Sequence, residues 1–217
     1  MIVNKKGDKH FLKFVKRERE IQVLKYLSEI ESPANHTISD IQFWPVEGGT
    51  VVSMALGGGW LTLMDHPTEH LWSVALQLFE AVAFMHEHNV AHMDLKPQNI
   101  MIPSHGGRLS IIDFSVSIRV REPNVKYSGV VGTGDYMAPE VQKGLYKPML
   151  ADLWSCGRTL VEFCLRCNPS ANRTKLLEIA GQLMDTDPEA RPKMNTLLEW
   201  MAPSQRGEVD LPLPTLR

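Results

Sequence analysis

Cysteine is scarce in this chain. Three thiols among 217 residues make a small, odd set, so no disulfide framework is implied and the chain reads as intracellular, cytoplasmic or nuclear, and reduced. Cys164 and Cys167 form one Cys-x-x-Cys, but no second pair completes a metal set. Both fall in a helical pattern, so buried thiols are expected there. Long apolar runs are also missing. The longest, Val51 to Met64, is interrupted by Gly57, Gly58 and Gly59 and falls short of a bilayer span, so no membrane attachment is expected. The start of the chain carries Lys5, Lys6, Asp8 and Lys9 and no apolar h-region of a secretion signal. Neither sign of charge prevails. A formal charge of −2 leaves no field for a polyanion, so nucleic acid is not an expected partner. Internal repeats are absent. What is present is ordinary globular usage, 43% hydrophobic and 22% charged, enough for a real core. It leaves the oligomeric state open.

Periodicity gives the organisation. Ile2-Val3 and His10 to Val15 flank a charged Lys-Lys-Gly-Asp-Lys stretch and predict a hairpin. Arg17 to Ile30 carries Ile21, Leu24 and Leu27 at helical spacing, and Ser32-Pro33-Ala34-Asn35 ends that helix. Ile41 to Val46 and Thr50 to Met54 read as strands joined through Glu47-Gly48-Gly49. Leu56-Gly57-Gly58-Gly59 reads as a hinge, since no Gly-x-x-x-x-Gly-Lys or Gly-x-Gly-x-x-Gly follows. Thr68 to His88 is a long amphipathic helix with Leu71, Val74, Ala75, Leu78 and Val82 on one side. Two closing helices are expected at Leu176 to Met184 and Met194 to Met201, and an irregular tail from Pro203.

The long helix delivers the chain to His92-Met93-Asp94-Leu95-Lys96-Pro97-Gln98-Asn99. An Asp, a Lys and an Asn stand at +2, +4 and +7 from a His. An Asp can accept the proton of an attacking hydroxyl, a Lys can neutralise a γ-phosphate oxygen, and an Asn amide oxygen can hold Mg²⁺. A trio of His86, His88 and His92 suggests a metal only weakly, because no carboxylate or thiol completes it. Further on, Asp113-Phe114-Ser115 follows the apolar strand Leu109 to Ile112, and Ala138-Pro139-Glu140 ends the run that starts at Gly132-Thr133.

In order and spacing these three motifs resemble the HRD, DFG and APE segments of the eukaryotic protein kinase catalytic domain, serine/threonine type. The resemblance runs from about residue 8 to about residue 202 and is most specific from 86 to 157. It implies an α+β, protein-kinase-like bilobal fold, with a small β-sheet lobe over 1–55, a hinge at 56–59, a mainly helical large lobe over 60–202, and the tail at 203–217. It implies ATP and Mg²⁺ as cofactors and a protein substrate. Asp94 and Lys96 become the catalytic pair, and Asn99 and Asp113 the metal ligands. Lys13 matches the strand lysine that meets the α- and β-phosphates, and Glu20 its helix-borne partner. Met54, Leu56 and Met101 are further cofactor-binding positions that the resemblance implies. Glu140 with Arg191 resembles a buried structural ion pair, and Asp152 a residue that holds the catalytic loop by its backbone. Lys96 and the Gly132-Thr133 pair match the serine/threonine branch rather than the tyrosine branch.

The chain also departs from the family. Only twelve residues precede Lys13, with Gly7 as their one glycine, so the small lobe reads as N-terminally truncated, without the glycine-rich loop, and weak nucleotide binding is expected. Phe11 stands where the family has a small residue above the adenine. Met93 replaces the Arg of HRD, and Ser115 the Gly of DFG. Three functions compete on this pattern: ATP-dependent phosphorylation of protein Ser/Thr, which retention of Lys13, Asp94, Lys96, Asn99 and Asp113 favours; a pseudokinase-type binding module, which loss of the first strand pair favours; and a small-molecule kinase, which the Gly-Thr and APE segment disfavours.

Overall fold

The computed structural model describes residues 2–3, 9–37, 40–55, 57–122 and 124–202. Its small lobe is an antiparallel sheet of β1 (Ile2–Val3), β2 (Lys9–Val15), β3 (Ile41–Val46) and β4 (Gly49–Ala55) in the order β1-β2-β4-β3. Ile2 pairs with His10 and Val3 with Lys9, as the hairpin reading requires; residues 4–8, its turn, lie outside the described residues. The alternation of side chains puts Phe11, Lys13, Val52 and Met54 on one face. Helix α1 (Glu18–Ser28) packs through Ile21, Val23, Leu24 and Leu27. It is shorter than the expected Arg17 to Ile30 because Arg17 is extended, at φ −86°, and Glu29 already caps the other end.

The glycine stretch is more structured than a simple hinge. Gly59 enters a short strand, β5 (Gly59–Trp60), which pairs with Ile102 and Met101. Gly58 is a close approach: a Cβ there would lie 2.3 Å from the carbonyl carbon of Ile102. Leu56 lies outside the described residues.

The large lobe is built on α2 (Pro67–Glu87), and the chain then runs through β6 (Val90–Ala91), β7 (Ile100–Ile102), β8 (Ser110–Ile111), β9 (Ile118–Arg119) and β10 (Tyr127–Ser128). After α3 (Pro139–Gln142) and β11 (Leu145–Tyr146) come α4 (Pro148–Leu165), α5 (Ala171–Leu183) and α6 (Met194–Met201). Strands β5, β7 and β8 form one small sheet, β6 pairs with β9, and β10 with β11. Helix α4 packs against α5, and α2 against α6. Helix α5 starts five residues before the expected Leu176 because the Ser170 hydroxyl accepts the N–H of Arg173, an N-cap that periodicity alone does not reveal. No helix among the described residues is long and apolar enough to cross a membrane.

One core spans both lobes, and a second cluster gathers Met93, Ile118, Val120, Ala138, Val141 and Tyr146 under the segment that follows Asp113. Met93, in the place of an arginine, is therefore a buried apolar residue. Below this cluster Arg191 is fully enclosed and grips Glu140 with two parallel bonds, Nη1 to Oε1 at 2.6 Å and Nη2 to Oε2 at 2.9 Å. Arg191 also donates to the carbonyls of Leu150 and Asp185. Cys156, Cys164 and Cys167 are free and buried. Burial pushes the Cys164 thiol up to about 12, which leaves it unreactive.

Candidate active site

The loop from His92 to Asn99 is held from below. Asp152, on α4 and wholly buried, accepts the backbone N–H of His92 at 2.6 Å and of Met93 at 2.8 Å. The Ser117 hydroxyl donates to the His92 carbonyl. These bonds hold Met93 at φ 67°, a left-handed conformation that a bulky side chain adopts only when its surroundings enforce it.

Above this support, the Asp94 carboxylate is surrounded by three donors. Its Oδ1 accepts the Thr133 hydroxyl at 2.7 Å, and its Oδ2 accepts Lys96 Nζ at 2.7 Å and Asn99 Nδ2 at 3.1 Å. Lys96 Nζ also donates to Thr133 Oγ1 at 2.6 Å. In the sequence Thr133 marks only the serine/threonine branch, yet in the fold it touches both Asp94 and Lys96. The residue before it explains the approach: Gly132 has φ 102°, and a Cβ there would meet the Met93 carbonyl oxygen at 2.6 Å. The Gly-Thr dipeptide was the available signal.

A second cluster forms across the lobes. Lys13 Nζ lies 2.6 Å from Glu20 Oε1 and 2.7 Å from Asp113 Oδ1. Strand β2 and helix α1 follow one another almost directly, which is why two residues seven apart can meet. The contact between Lys13 and Asp113 joins positions a hundred residues apart and was not expected. Burial opposes the Lys13 charge, but the bonds to Asp113 and Glu20 prevail and raise its pKa. Burial likewise opposes the Asp113 charge, and the Lys13 ammonium with the Ser115 donors outweighs it, so Asp113 is held below its ordinary value. Both groups are charged at neutral pH. Asp113 itself sits at φ 64°, a region Asp tolerates better than most residues.

His92 links the two clusters. Its Nε2 donates to the Ile112 carbonyl at 3.0 Å, its Nδ1 accepts the Asp94 N–H at 3.3 Å, and its ring meets Phe114 edge-on at 4.9 Å. Both ring nitrogens are thus used by the neutral form. Burial keeps its pKa below the ordinary 6.5. As pH falls through 6.5, the unfolded chain takes up a proton that the folded chain refuses, so stability is full above 6.5 and declines below it. Urea midpoints measured between about pH 7.5 and about pH 5.5 should fall more steeply for wild type than for His92→Gln. Parallel profiles would contradict a neutral buried imidazole. The other two histidines of the trio turn elsewhere, His86 to Asp152 and His88 to the Phe84 carbonyl.

The donor set fits a hard cation. Asn99 Nδ2 donates to both the carbonyl and the carboxylate of Asp94, so its amide oxygen is turned away from Asp94. The Ile112 N–H donates to the Asn99 carbonyl at 2.9 Å, which sets Asn99 and Asp113 side by side. Their oxygens are of the kind that Mg²⁺ takes. Met54 and Met101 are buried, Met54 on the Lys13 face of the small sheet. Phe11 lies on that face as well and is 47% exposed.

Comparison with known proteins gives the family. The family model described as "Protein kinase domain" matches residues 50–205. The chain is 36% identical to the probable serine/threonine-protein kinase KKQ8 of Saccharomyces cerevisiae (strain YJM789) over 143 residues, 63% of this chain and 19% of that protein. It is 39% identical to a probable serine/threonine-protein kinase CHK1 homolog of Encephalitozoon cuniculi over 124 residues, 53% of this chain and 27% of the other. With the phosphorylase b kinase gamma catalytic chain, liver/testis isoform, of Rattus norvegicus it shares 32% over 142 residues, 60% of this chain and 34% of the other. The matched region is thus no more than about a third of each of these relatives. Since the family model covers well over half of the sequence and both polar clusters form in the α+β fold, the chain belongs to the protein kinase domain family.

Proposed function

We propose that this chain transfers a phosphoryl group from ATP, with Mg²⁺, to serine or threonine hydroxyls of a protein. The observation that carries the reading is the Asp94 carboxylate, oriented by Lys96, Thr133 and Asn99 beside the Lys13, Glu20 and Asp113 cluster. Mg-ATP, when bound, would supply the transferable group, and its Mg²⁺ would neutralise charge on the phosphates. Asp94 orients the acceptor hydroxyl and takes its proton. Lys96, a cation 2.7 Å from Asp94, neutralises charge on the group in transfer. Glu20, buried at 4% exposure, aims Lys13 toward the α- and β-phosphates. Asn99 and Asp113 are the proposed metal ligands, and Met54 and Met101 adenine contacts.

Serine and threonine are the proposed acceptors because Lys96 and Thr133, which both bond to Asp94, match the serine/threonine branch of the family, and relatives named as serine/threonine-protein kinases point the same way. An intracellular, reduced setting suits three buried free thiols. The test is incubation with γ-labelled ATP, Mg²⁺ and a generic basic protein, followed by phosphoamino-acid analysis. Label on serine and threonine is expected. Label on tyrosine would overturn the acceptor assignment, and Mg-ATP binding without any transfer would replace the enzyme by a binding module.

A further inference from the structure

A cavity of about 1510 Å³ opens between the start of α1, the segment after Asp113 and strand β10. Lys13, Asp94, Lys96, Asn99 and Asp113 do not line it. Five cations do: Arg17, Arg19, Arg119, Arg121 and Lys126, against a single carboxylate, Glu18. In a chain of net charge −2 this is a local concentration of one sign. Arg17 donates to the Ser115 carbonyl, and Arg119 lies over the Tyr26 ring at 3.7 Å. The side chains of Arg19, Arg121 and Lys126 make no hydrogen bond or ion pair among the described residues. Such a cluster raises the local concentration of an anionic partner and is relieved by it.

The cavity is more than a charged surface. Val116, Val130 and Val131 also line it, and Val130 is 66% exposed. Residues of β9 and β10 line it too, and among the described residues each of these strands has one strand neighbour, β6 and β11 respectively. Each therefore keeps an edge that can accept another strand. The volume exceeds the roughly 300–1,000 Å³ of ordinary small-ligand pockets, so a single phosphate would leave most of it unfilled.

We propose that this cavity docks an extended acidic segment of a partner protein, with carboxylates alternating with apolar side chains. In an extended chain, successive side chains point to opposite sides. One row then meets Arg19, Arg121 and Lys126 while the other covers Val130. The proposal does not depend on phosphoryl transfer. Its occupant would nevertheless press on the segment around Asp113, because Arg17 and Ser115 are part of the wall.

The experiment is fluorescence anisotropy on the whole chain with a fluorescein-labelled octapeptide of alternating Glu and Val. Saturable binding is expected, weakening severalfold as NaCl rises from about 50 to about 200 mM, since exposed charges are screened over that range. Arg121→Gln with Lys126→Gln should weaken it about tenfold or more, and Arg19→Gln alone should do so in part. Thermal melting checks that these variants fold. Arg121→Glu with Lys126→Glu should instead bind an octapeptide of alternating Lys and Val. Equal binding by wild type and the Gln variants, or of a Gln-Val octapeptide by wild type, would overturn the proposal, as would no binding up to about 1 mM, where affinity is near 4 kcal/mol. Displacement of the acidic peptide by an equal concentration of inorganic phosphate would also overturn it, because the site would then read one phosphate rather than a segment.

Discussion

Asp94→Asn is expected to lower kcat by on the order of 10² or more while the chain stays folded. The substitution keeps the volume and one acceptor oxygen, which can still take the Thr133 hydroxyl. It removes the charge and puts an amide nitrogen where Oδ2 now accepts Lys96 Nζ and Asn99 Nδ2. Donors would then face a donor, and the side chain must turn or the lysine must leave. Neither arrangement gives an acceptor for the substrate proton. In its proposed role Asp94 acts on the group that forms during transfer, so the loss should fall on kcat rather than on KM for ATP. Initial rates at saturating Mg-ATP, with melting temperatures as the control for folding, measure it. Activity near wild type in a folded variant would remove Asp94 from the catalytic role.

The largest stability effects should come from Glu140 and Arg191. Each single change to alanine should destabilise the large lobe by roughly 3–5 kcal/mol, because it leaves a charge buried without its partner. Arg191→Ala should lie at the upper end: that guanidinium also satisfies the carbonyls of Leu150 and Asp185, which would lose their donor. Arg191→Lys should not restore wild-type stability, since an ammonium cannot make the two parallel bonds to Oε1 and Oε2. The double alanine variant should cost less than the sum of the singles, because no lone charge remains. Urea unfolding of the four chains closes the cycle. Single variants within about 0.5 kcal/mol of wild type, as is usual for surface changes, would mean that the pair contributes little to holding the lobe.

Much of the site is legible along the chain because the chemistry is local. Asp94, Lys96 and Asn99 fall within six residues, and one turn of 3-10 helix at Pro97–Asn99 brings them around one carboxylate. The long helix is equally legible: Leu71, Val74, Ala75, Leu78 and Val82 recur at helical spacing and are buried in the fold. The hairpin joining β3 to β4 and the closing helix α6 likewise follow from turn residues and periodicity.

Other features follow from contacts between distant segments. Tyr127 and Ser128 pair with Tyr146 and Leu145, a partnership that no local pattern announces. Gly58 reads as hinge material, while its neighbour Ile102 leaves no room for a Cβ. The sequence by itself determined the strands and helix of the small lobe, the long helix α2, the closing helices α5 and α6 and the make-up of the loop from His92 to Asn99, since helix periodicity, turn chemistry and the bonds of an eight-residue loop act over a few residues. Only the tertiary structure decided that Lys13 also meets Asp113, that Thr133 bonds to Asp94, and that five cations line one cavity. Those meetings depend on how the lobes and helices pack to bury their apolar faces, a requirement of the whole chain that no short stretch of it encodes.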